Sequence, residues 1–167
     1  MHWDDRWPTE QKLRKMREVF YGKYPLVCAE WFRRNFPDPC SWHAARTLFA
    51  RSCAVMSMIG FVLGLGDRHA ENLLLDTTDG CLMHVDFNVL FDKGETLNIP
   101  ECVPFRLTRN MVDGFGPMGV EGAFRRSAEA TMEVMRSNSD TLLTVLQAFV
   151  HDPLVEWTNG RGQQNKQ

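Results

Sequence analysis

The stretch FVLGLGDRHAENLLLDTTDGCLMHVDFN, Phe61 to Asn88, constrains this chain more than any other. An apolar run breaks at Gly64 and Gly66, gives way to Asp67, Arg68 and His69, and resumes at Leu73 after Asn72. Two short apolar runs, NLLLD and CLMHVD, then flank TTDG, and an Asp-Gly pair between such runs signals a β-hairpin. Asp76 and Asp79 read as turn residues. Asp67, His69, Asn72 and Asp86 therefore stand at the edges of segments that bury themselves. Polar groups in such places cost free energy unless they are paired or used.

The rest of the pattern is helical. Glu10 to Phe20 and Leu26 to Phe32 carry mixed apolar and charged faces. DPCS, Asp38 to Ser41, supplies a turn and an N-cap for a long helix from about Trp42 to Leu63. Leu48, Val55, Ile59 and Val62 recur in it at helical spacing, and after Ala54 it is apolar nearly all round, as a helix buried at the heart of a domain would be. From Phe87 to Phe105 the chain is expected to be irregular. A short helix follows at Thr108 to Val112, then one with Val120, Phe124 and Met135 on a face and one with Leu142, Leu143, Leu146, Phe149 and Val150 on a face. The fold class is mainly α, an α+β arrangement of helices around one hairpin.

At 167 residues the chain is the size of one domain. A net charge of −2 gives no electrostatic argument for direct binding of nucleic acid or an anionic membrane. The five cysteines are odd in number, and no pair has CxxC spacing, so neither a zinc ribbon nor a disulfide framework is indicated and a reducing compartment is expected. No signal-peptide pattern is seen, and no apolar run reads as long enough to span a bilayer.

The spacing of the polar groups points to phosphoryl transfer. Asp67 precedes Asn72 by five residues, and Asp86 follows at the end of the second strand. Protein-kinase-type catalysts use one Asp to orient the attacking hydroxyl, and an Asn and a second Asp to hold magnesium on the phosphates. Their H-R-D-x-x-x-x-N and D-F-G motifs have the same Asp-to-Asn step, with the His placed before the Asp. The ligand types suit a hard cation such as magnesium, or manganese in its place. His69 is close enough in sequence to hydrogen-bond Asp67 or to stabilise charge on the transferred group. His84 reads as a satisfied structural histidine. A zinc site from His69, His84 and a carboxylate matches no trusted spacing. GFGPMG, Gly114 to Gly119, formally fits a phosphate loop but follows a helix and contains Pro117, so it reads as a connection between helices.

LGLGDRHAENLLLD with HVDFN resembles the catalytic and metal-binding loops of the phosphatidylinositol-3-kinase-related protein kinases. SWHAARTLFARSCAVMSMIGFVLGLGDRH, VDFNVLFDKGET, PECVPFRLTRNMVDGFGPMG and FVHDPLVEW are similar to the ATR branch of that family. The resemblance implies a protein-kinase-like C-terminal lobe over residues 1–157, with a polar, frayed tail at 158–167. It implies Asp67 and His69 as catalytic residues, Asn72 and Asp86 as magnesium ligands at the ATP phosphates, and Phe87 to about Pro104 as the activation segment. It implies ATP and proteins with Ser/Thr-Gln sites as substrates, a dedicated ATR-interacting subunit in the parent kinase, and a nuclear role in DNA-damage signalling. No strand-rich upper lobe precedes Asp67, so the chain alone is expected to be inactive or nearly so. The alternative reading is a non-catalytic interaction fragment of such a kinase; a phosphoinositide lipid kinase is a less favoured third. A lipid kinase would carry a basic activation segment, whereas Phe87 to Val103 sets Lys93 against Asp92, Glu95 and Glu101.

Overall fold

A computed structural model describes residues 7–98 and 100–150. Six α-helices and one hairpin make up the described residues: α1 (Thr9–Lys23), α2 (Cys28–Asn35), α3 (Pro39–Val62), β1 (Leu73–Leu75), β2 (Leu82–His84), α4 (Arg109–Phe115), α5 (Ala123–Ser137) and α6 (Ser139–Val150). Short 3-10 turns lie at Ala70–Asn72, Lys93–Thr96 and Gly119–Glu121. The fold is mainly helical, as expected. The segment HDPLVEW and the tail lie outside the described residues.

α3 is the hub. Asp38 caps it, its carboxylate accepting the Ser41 N–H at 2.8 Å, and Pro39 occupies the first turn, where no N–H is required. α2, α4, α5 and β2 all pack on it. Its buried face is built from small residues around one large one: Ala45, Phe49, Ala50, Cys53, Ala54, Ser57 and Gly60. Small side chains let neighbouring backbones approach closely, and that requirement selects this stripe over Leu48, Val55, Ile59 and Val62. Burial all round is not observed, because Phe61 and Val62 are each 50% exposed. α3 is also long and apolar enough, by length and composition alone, to cross a membrane (mean hydropathy 1.2), contrary to the expectation that no run in the sequence is. Its packing is that of a core helix.

An aromatic chain fills the space between α3 and its partners. Phe32 touches Phe36 and Phe49, Phe49 touches Phe115, and Phe115 stacks on Phe124 with centroids 5.1 Å apart. Phe32 is fully buried, which stabilises the fold by roughly 2–3 kcal/mol relative to leaving it exposed. The first amides of α2, which lack partners within their helix, are met by α4: Val27 N–H donates to Asn110 Oδ1 at 2.9 Å and Ala29 N–H to Asp113 Oδ2 at 2.8 Å. Burial, helped by Asp113, pushes the nearby Cys28 thiol up to about 11.

The hairpin is antiparallel, with Leu73 opposite His84 and Leu75 opposite Leu82. Asp76 and Asp79 both bond turn amides, as read from the sequence. α4 is capped by Thr108, and GFGPMG runs from its end through a 3-10 turn toward α5. Val120 falls in that turn, not in the helix with Phe124 and Met135. Of the apolar face expected on α6, Leu142 and Leu143 are exposed and Leu146 is half-buried.

Candidate active site

Gly64 and Gly66 end α3 and admit a second chain segment beside the loop. The N–H groups of Gly66, Phe91 and Asp92 pair with the carbonyls of Val89, Leu63 and Gly64 at 2.8–3.0 Å. Gly64 has φ +57, and a Cβ there would stand 2.5 Å from the Asp92 nitrogen, so only glycine fits. The residues after Asp86 are thereby laid against those before Asp67.

Asp67 follows with φ +59, and Asp86 has φ +58. Left-handed backbone at a non-glycine residue persists where the surroundings over-determine it, and such residues gather at functional sites. Asn72, buried in the 3-10 turn, donates through Nδ2 to the Asp67 carbonyl at 2.7 Å, and its own carbonyl accepts the Val85 N–H at 3.1 Å. Arg68 completes the lacing. Its Nε donates to the Gly66 carbonyl at 2.8 Å, Nη1 to the Val85 carbonyl at 2.7 Å, and Nη2 to the Asp86 carbonyl. Burial lowers its pKa, and Asp67, Asp86 and Glu101 act against that shift. The loop bearing Asp67 and the strand end bearing Asp86 are therefore one hydrogen-bonded unit.

The side chains that would do chemistry face outward. Asp67 and His69 are roughly half exposed, with His69 Nε2 3.8 Å from Asp67 Oδ2. His69 Nδ1 accepts the Glu71 N–H at 3.2 Å, so a neutral ring carries its proton on Nε2, the nitrogen toward Asp67. Asp86 is exposed, and its carboxylate accepts the Asn88 N–H at 3.1 Å. Its side chain is not sunk in apolar packing. Among the described residues no group of three or more His, Cys, Asp or Glu forms a metal cage. One carboxylate and one amide oxygen are instead the partial oxygen set that magnesium accepts when substrate phosphates supply the rest.

His84 departs from expectation. It is buried and structural, but its Nδ1 has no hydrogen-bond partner among the described residues. Burial, and then the charge of Arg68, push its pKa down to about 4, so the ring stays neutral without a partner for that nitrogen. Two further residues were not singled out by sequence. Arg68 clamps three carbonyls, and Glu101 accepts the Asp67 N–H at 2.8 Å. The only sequence hint for Glu101 is the glycine pair, Gly66 and Gly94, whose missing side chains make room for it.

Residues 2–159 match the family described as phosphatidylinositol 3- and 4-kinase. The chain belongs to that family. Among its relatives, protein kinase rad3 of Schizosaccharomyces pombe is 58% identical over 135 residues, covering 81% of this chain. Serine/threonine-protein kinase ATR of Arabidopsis thaliana is 46% identical over 154 residues, covering 92%. This family member spans 6% of the length of each. A solved structure described as the FAT and kinase domain of CtTel1 superposes with a TM-score of 0.84 at 42% identity, over 91% of this chain and 11% of that one. The helices and hairpin are those of a C-lobe in this kinase family.

Proposed function

We propose that this chain is the catalytic C-lobe of a Ser/Thr protein kinase of the ATR type. It would pass the γ-phosphate of ATP to Ser or Thr, those followed by Gln among them, on proteins of a nuclear DNA-damage checkpoint, with a dedicated interacting subunit in the parent assembly. The supporting observation is the lacing of the Asp67, Asn72 and Asp86 loops into one unit, with the Asp67 carboxylate half exposed and that of Asp86 exposed.

In this reading Asp67 orients the substrate hydroxyl and accepts its proton, and His69, donating from Nε2, stabilises charge on the transferred phosphoryl oxygens. Asn72 and Asp86 would hold magnesium, or manganese in its place, which supplies charge neutralisation at the phosphates when bound. Arg68 keeps these loops in register. The activation segment is acidic around Lys93, which favours peptide over phosphoinositide head groups. A cationic cover for the phosphates is not among the described elements, so turnover is expected when a matching upper lobe is supplied.

The test is ATP turnover on a Ser-Gln peptide by the chain alone and by the chain joined to the upper lobe of a relative. Activity in the fusion, lost in Asp67→Ala and Asp86→Ala, supports the assignment. A fusion that works equally well as Asp86→Ala refutes the metal role, and phosphorylation of phosphoinositides but not peptide refutes the substrate class.

A further inference from the structure

Glu101 has no role in the chemistry described above, yet it is bound to the residue assigned as base. Its Oε1 accepts the main-chain N–H of Asp67 at 2.8 Å across thirty-four residues of sequence. Its own N–H donates to the Gly94 carbonyl at 3.1 Å. The second carboxylate oxygen, Oε2, occupies the space where a Cβ on Gly66 or Gly94 would stand, so two glycines form its slot. Both hydrogen-bond partners belong to loops beside the site. Asp67 meanwhile holds a left-handed backbone that needs outside support, and an amide donating to a carboxylate is among the stronger hydrogen bonds available to supply it.

We propose that Glu101 is a positioning residue: the segment 100–104 sets the catalytic loop through the Glu101–Asp67 hydrogen bond, and Asp67 is aimed only while that segment is seated. The proposal rests on the kinase reading of Asp67. Movement of the segment withdraws the acceptor from the Asp67 amide and releases the loop without touching the core helices. Seating of the activation segment is in this way read directly by the catalytic residue's backbone.

Amide hydrogen exchange on the chain and kinetics on the fused enzyme test this together. Glu101→Ala is expected to speed exchange at Asp67 by about 10- to 100-fold while Cys53, within α3, exchanges as before. In the fusion it lowers kcat by about tenfold or more and leaves the KM for ATP within about twofold. Glu101→Gln, whose side-chain carbonyl still accepts, restores slow exchange at Asp67 and most of kcat. If Glu101→Ala unfolds the chain, Glu101→Asp, which withdraws the carboxylate by one methylene, carries the same expectation. Unchanged exchange at Asp67 overturns the proposal, as does faster exchange with kcat intact. A wild-type fusion as inert as Asp67→Ala refutes the kinase reading and with it the catalytic half of the proposal, the exchange having already decided the structural half.

Discussion

Asn72 donates its side-chain amide to the main-chain carbonyl of Asp67 at 2.7 Å, and the main chain of Asn72 in turn receives Val85, one residue short of Asp86. One residue thus ties the two acidic positions together. The chemistry selects Asn, because it offers a donor to the carbonyl and keeps an amide oxygen as a hard acceptor, whereas an ionised Asp has no donor to give.

Asn72→Asp tests that dual role. It places a carboxylate against the Asp67 carbonyl, and losing a part-buried hydrogen bond in this way costs about 1–3 kcal/mol. Urea unfolding of the chain should show that loss. Turnover by the fused enzyme is expected to fall by about 100-fold or more, since positioning and the proposed metal ligand set change together. Wild-type turnover would remove Asn72 from the site.

Arg68→Met removes the clamp while keeping the apolar stem. Three carbonyls, those of Gly66, Val85 and Asp86, lose their donor. The bond to Gly66 is buried and the other two are part-buried, and an acceptor left unmet away from water costs about 1–3 kcal/mol, so a total loss of about 3 kcal/mol is expected. For a chain of this size that corresponds to a fall of about 6–12 °C in Tm. Arg68→Lys should recover less than half, because an ammonium is a point donor and cannot span three carbonyls in the fixed fork of a guanidinium. A calorimetric Tm within 2 °C of wild type for Arg68→Met, in the manner of a neutral surface change, would contradict the clamp.

How far the sequence discloses this arrangement depends on how local each signal is. The cap at Asp38 and the turn around Asp79-Gly80 are written in adjacent residues, and each appears where expected; Asp67 and Asn72, five residues apart, meet through one side-chain hydrogen bond. The buried face of α3 is not local. Helical periodicity offered a large-residue stripe through Leu48, Val55 and Ile59, but close approach of α5 and the hairpin favours the stripe of alanine, cysteine, serine and glycine. Arg68 is hidden for a different reason: arginine is mostly a surface residue, and nothing beside it in sequence announces three carbonyl partners. Glu101 acts across a span of chain that no periodicity connects.

The buried imidazole of His84 makes stability depend on pH in a defined window. Its pKa is about 4 in the fold against an ordinary 6.5, through burial and the neighbouring charge of Arg68. The unfolded chain therefore binds more protons between pH 6.5 and about 4, and stability falls as pH falls through that range. At about 1.36 kcal/mol per pKa unit, the loss attributable to this residue approaches about 3 kcal/mol at pH 4 and vanishes above pH 7. Urea midpoints of wild type and His84→Phe between pH 4.5 and 7.5 isolate it from the carboxylates, which titrate in both. Parallel curves for the two proteins would show that the ring is not held neutral.

Gly80 is one of the points at which the hairpin meets the core, beside Leu82. It has φ +80, and a Cβ built there would lie 2.8 Å from Phe32 Cε1 and 3.0 Å from the Ala45 carbonyl oxygen. Left-handed backbone costs an L-residue roughly 1–2 kcal/mol, and forcing the turn away from Phe32 and α3 adds a packing loss of about 1–3 kcal/mol. Gly80→Ala should therefore destabilise the chain by about 2–5 kcal/mol in urea unfolding. The damage should also reach the site, since the hairpin that docks through Gly80 ends beside Asp86 and pairs through Leu73 and His84 next to Asn72. Amide exchange at Val85 and Asn72 is expected to quicken with that at Leu82. Quickening confined to the turn, residues 76–81, would show that the hairpin tip and the end beside Asn72 and Asp86 are mechanically independent.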